Sequence, residues 1–74
     1  MIVAIVKIAE DSQSVCYKSV CGDQPTNLFL VTKDDLSVSP IVVGDSESMA
    51  GALAKLRRTI KAGDFPALLT LATG

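Results

Sequence analysis

Four groups of residues in this chain carry side chains able to do chemistry. Cys16, Tyr17, Lys18 and Cys21 form the first, because an ammonium close to a thiol favours the thiolate and can create a nucleophile. The chain has no histidine, so no imidazole stands ready to act as a base for a thiol or a hydroxyl. A Ser-His-Asp arrangement is excluded by composition within the chain, and so is a cysteine-histidine zinc site. Five residues of extended chain would hold the two cysteines roughly 16 Å apart, beyond disulfide reach. They are expected to be reduced thiols, with Cys16 packing as a small hydrophobe and Cys21 ending a strand.

Acidic pairs form the second group, Glu10 with Asp11 and Asp34 with Asp35. Two carboxylates can hold a divalent ion, but the alternating ligands and central glycine of a calcium loop are missing, so both pairs are expected to be solvated turn residues. The third is GDSES at 44–48, which has one glycine, no following lysine and two acids that would repel an anion. It is expected to cap a helix rather than to cradle a phosphate. No catalytic residue, metal ligand or cofactor site is therefore expected.

The last group is basic. Lys55, Arg57, Arg58 and Lys61 sit at helical spacing, and Lys55, Arg58 and Lys61 would share one exposed arc able to span phosphates. Cations late in a helix also complement its dipole, as Asp45 and Glu47 do at the start. Seven basic against eight acidic side chains give a net charge of -1, so no global attraction draws the chain to nucleic acid or to anionic lipid.

The elements that position these residues follow from periodicity and turn chemistry. Residues 45–63, DSESMAGALAKLRRTIKAG, predict the one long helix: Met49, Leu53, Leu56 and Ile60 fall on a stripe, with Glu47, Lys55, Arg58 and Lys61 opposite. Asp45 or Ser46 can accept from the first-turn amides, and Gly63 is placed to close the helix in a left-handed conformation. Residues 1–10 and 14–20 predict two strands joined by the polar break at 10–13, the first of them central in a sheet. After the Gly- and Pro-containing loop at 22–27 come short strands at 28–32 and 37–43, the latter at an edge because Pro40 lacks an amide hydrogen. Residues 67–71 predict a short fifth strand over one turn of helix.

The expected fold is a single α+β domain over residues 1–74, with an antiparallel sheet of four to five strands and one long helix on one face. So short a chain hides only roughly 60% of its unfolded surface, yet 49% of its residues are hydrophobic. Both faces of the strands are apolar: Met1, Val3 and Ile5 oppose Ile2, Val6 and Ile8, while Ile41 and Val43 oppose Val38 and Val42. One helix can cover one face. Unless the last residues cover the other, a second chain is expected to do so.

The function expected from this surplus is that of a small non-enzymatic protein-binding module. It would pair with itself as a homodimer, or dock on a larger protein as a regulator or inhibitor. An edge strand offers unpaired backbone groups for such contacts, which makes Ser37, Ser39, Ile41 and Val43 the candidate partner-binding residues. The alternative is a nucleic-acid-binding or regulatory domain in which a dimer juxtaposes two basic helices, with Lys55, Arg57, Arg58 and Lys61 as contacts. No run approaches the ~20 apolar residues of a membrane span, and a cytoplasmic protein is expected.

Overall fold

Alternation along each strand decides which side chains are buried, and turn chemistry decides how the strands meet. The computed structural model describes residues 2–72; Met1, placed above in the first strand, and Thr73 and Gly74 of the last segment lie outside the described residues. Five strands, β1 (Ile2–Glu10), β2 (Ser14–Val20), β3 (Asn27–Thr32), β4 (Val38–Val42) and β5 (Leu68–Ala72), pair antiparallel in the order β4-β3-β2-β1-β5. One helix, α1 (Ser46–Thr59), packs on a single face. The α+β class, the edge position of the Pro40 strand and the fifth strand are as the sequence predicts; β1, expected at the centre, lies one place in from the β5 edge, and β2 is the central strand.

The connections explain why the helix has its length. A meander leaves β4 at one edge and β1 at the other, and because β5 joins beside β1 the chain must cross the sheet after β4. Five strands span about 19 Å, and a 14-residue helix is about 21 Å long. That match lets α1 touch β4, β2, β1 and β5 as it carries the chain across. Beneath it lie Val3, Ile5, Val15, Tyr17, Phe29 and Val31, all fully buried.

The helix differs from its predicted form at three points. Its most buried line is Ser48, Ala52 and Leu56, with Met49 and Leu53 half-buried at the sides. Small residues on the contact line let the helix approach the sheet, and the larger pair fills the flanks. A Cβ on Gly51 would stand 3.0 Å from Leu71 Cδ2, a measure of how close β5 comes. The helix also stops at Thr59: Ile60 donates its amide to Leu56 O at 3.0 Å but has extended backbone and a buried side chain. Gly63, at φ 77°, does not cap it; the glycine turns a tight loop in which Lys61 and Asp64 exchange backbone hydrogen bonds.

Two bulges alter the predicted faces. Ile8 has no partner between the Lys7–Tyr17 and Ala9–Cys16 pairs, so the register shifts there. Ile41 has none between Phe29–Pro40 and Leu28–Val42. An extra residue breaks the period of two, so Ile8 leaves the alternation with Ile2 and Val6, and Val38 and Val42 lie on opposite faces.

Asn27 joins β3 to the helix entrance. Its side chain is fully buried; Oδ1 accepts from the amides of Gly44 and Asp45, both at 2.8 Å. Its Nδ2 reaches Asp45 O at 3.0 Å, Ser19 Oγ at 3.1 Å and Ser48 Oγ at 3.3 Å. Asp45 then caps the helix, accepting from Glu47 N at 3.3 Å and from the Ser48 hydroxyl at 2.8 Å. Gly44 admits this approach because any Cβ there would strike the Thr26 carbonyl and stand 2.8 Å from Pro25 Cβ.

Replacing Asn27 by Ala strands two part-buried amides and should cost about 3 kcal/mol. Urea denaturation reads that loss as a lowered midpoint; a cost below about 1 kcal/mol would show that water or another group replaces the amide.

Candidate functional site

Register distributes the reactive residues to different places. Tyr17 points to the helix side, where its hydroxyl donates to Pro66 O at 2.8 Å; burial first, then the nearby Glu10 and Asp64 charges, push its pKa up. Cys21 is buried in the core. Cys16 and Lys18 share the opposite face with Val20, so the thiols expected to be inert packing groups sit in different layers.

The acidic pairs also separate. Glu10 bonds Lys33 Nζ and Lys7 Nζ, each at 2.8 Å. Lys33, then Lys7, hold its carboxyl down at about 2, against an ordinary 4.5. Lys7 Nζ further donates to Phe65 O at 3.2 Å, and Lys33 Nζ lies 5.5 Å from the centre of the Phe65 ring. This cluster ties the segment after the helix to the sheet. Asp11 accepts from the amides of Gln13 and Ser14, both at 2.7 Å, and is held low by them; Asp35 accepts from Ser37 N at 3.0 Å with the same effect. Both are turn residues, as expected, whereas Glu10, expected in the same turn, ends β1 and is held by two lysines. Among the described residues no group of three or more His, Cys, Asp or Glu is placed to hold a metal. Surface recesses of about 260 and 200 Å³ lie beside Lys33 and Glu10.

The basic set divides too. Lys55 and Arg58 stand on the helix, Arg57 donates to Val38 O at 3.4 Å, and Lys61 lies beyond the helix end. Ser37, Ser39, Ile41 and Val43 are all exposed at the β4 edge. There Pro40 and the Ile41 bulge interrupt regular pairing, two devices that blunt an edge against strand addition. Of the four, Ser39 belongs by register to the sheet face away from the helix, opposite Leu30.

That face is the largest feature left open. Its central row runs Leu68, Val6, Lys18, Leu28, Val42 across all five strands. Cys16 and Val20 flank Lys18 along β2, Ala4, Ala9 and Leu30 lie beside them, and Thr70 and Ser39 add hydroxyls toward the β5 and β4 margins. The last segment adds β5 to the sheet edge instead of folding over this surface. Ile2 is 65% exposed, Leu68 59% and Val42 48%. Five strands by six residues make an area on the order of 400 Å², as large as the biggest apolar patch of many monomers. Sequence pattern showed both faces to be apolar, but not that Lys18 would stand at the middle of one; only the register reveals that.

Glu10 stabilises the fold fully above its ordinary pKa of 4.5, and that contribution is lost as pH falls toward 2. NMR titration should find its carboxyl below 3 at low salt and higher in strong salt; an ordinary value near 4.5 at low salt would show that the Lys7–Glu10–Lys33 cluster is not formed. No protein-family model matches the chain, and no curated protein or solved structure compared with it does so either.

Proposed function

We propose that this protein is a non-enzymatic binding module, a small regulator or inhibitor that docks on a larger protein through the sheet face away from α1. The observation that carries this is the uncovered row from Leu68 to Val42 with its apolar surround. The face spans about 400 Å² with Lys18, Thr70 and Ser39 included, and covering roughly half of that as apolar surface is favourable by about 5 kcal/mol at ~25 cal/mol per Å², before the cost of association is met. The β4 edge enlarges the apolar margin, since Ile41 and Val43 are about half exposed. A reducing, cytoplasmic setting suits a surface on which the Cys16 thiol lies half-buried. Among the described residues no helix is long and apolar enough to cross a membrane.

Photo-crosslinking in the native host separates the two sides of the molecule. A photoreactive residue at Leu30 should give a discrete adduct with another protein, and the same group at Arg58 should not. Adducts from Arg58 alone, competed by RNA or DNA, would favour the basic helix face instead.

A further inference from the structure

Lys18 is the one charged residue that the register places on the open face among the described residues, and no acid lies there with it. Its ammonium makes no ion pair or hydrogen bond among the described residues, and it stands between Val6 and Leu28 across the strands and between Cys16 and Val20 along its own. A charge covered by a partner needs a counter-charge, because an ammonium taken out of water without one is strongly unfavourable.

We infer that the occupant of this face is a different protein, whose docking surface is apolar and carries one carboxylate set to meet Lys18. This rests on the function proposed above and names the chemistry of its partner. A second copy of the chain does not supply that chemistry. Stacked face to face, it brings another lysine and no acid, whatever the rotation between the two sheets. The closest acids along the chain are in the turns at the strand ends, Asp11, Asp23 and Asp34. Carrying one of them over the other copy's Lys18 means sliding by about half of β2, roughly 13 Å, which uncovers much of the contact. Area points the same way: about 400 Å² from each side totals about 800 Å², well short of the 2,000 Å² or more typical of permanent dimers and in the range of transient docking. Lys18 thus does two things at one position, rejecting self-stacking and selecting an acidic partner.

The test uses a peptide-display library selected separately against the intact wild-type chain and against Lys18→Glu, with sedimentation of wild type and Lys18→Leu alongside. Lys18 is only half-buried, and circular dichroism verifies that both variants fold. Wild type should enrich peptides with Asp or Glu among apolar residues, and Lys18→Glu should enrich Lys or Arg at that place. Each set should bind its own bait at least tenfold more tightly, about 1.4 kcal/mol. Wild type should sediment as a monomer at high micromolar concentration, while Lys18→Leu self-associates. Peptides that bind the face with no acidic preference, and equally on both baits, overturn the role of Lys18 and leave the binding face standing. A wild-type dimer dispersed by Leu28→Asp overturns the inference in favour of a second copy. No enrichment on either bait, with every variant monomeric, overturns both the inference and the function on which it rests.

Discussion

A single buried amide holds the two layers in register. Asn27 accepts from both amides of the 44–45 link and bonds a carbonyl and two hydroxyls in return. Through these contacts the start of β3, the middle of the sheet and the first turn of α1 become one unit. Where the helix begins, and so which face it covers, follows from where that amide sits. Burying so polar a group is tolerable because each of its atoms is satisfied; among the described residues no buried side-chain nitrogen or oxygen lacks a partner. The other end of the crossover is held by charge and ring contacts, Lys7 and Lys33 with Glu10 and Phe65.

With the helix committed to one face, nothing among the described residues covers the opposite face. Here the remaining residues become β5, which completes the sheet edge beside β1 and widens the open surface at the same time. Fold and proposed function therefore share a cause, since the segment that finishes the sheet edge is not free to shelter the open face.

Much of this was legible in the residues. Alternation in SVCYKSV and NLFLVT sorted Val15, Tyr17, Phe29 and Val31 from Cys16, Lys18, Leu28 and Leu30, and burial follows that order. Asp45 was readable as a cap and Pro40 as the mark of an edge. What escaped depends on neighbours distant in the chain. Asn27 looked like a loop residue because its partners are 8 to 21 residues away. The bulges at Ile8 and Ile41 are invisible until the strands are paired, and they alone move Val42 across the sheet from Val38. Small residues on the helix contact line carry little periodic signal, so the apolar spacing points to Met49 and Leu53 and not to Ser48 and Ala52. Lys18 appeared as part of a thiol cluster, and only the five-strand row shows it ringed by apolar side chains.

The central claim is that the sheet face away from α1 is open in the isolated protein. Methyl relaxation in the presence of a soluble paramagnetic agent measures this directly. Methyls of Val6, Val20, Leu28 and Leu30 should relax much faster than those of Val3, Ile5 and Leu56 beneath the helix. Equal shielding of the two sets in the purified chain would mean that the face is already covered, and would contradict the account.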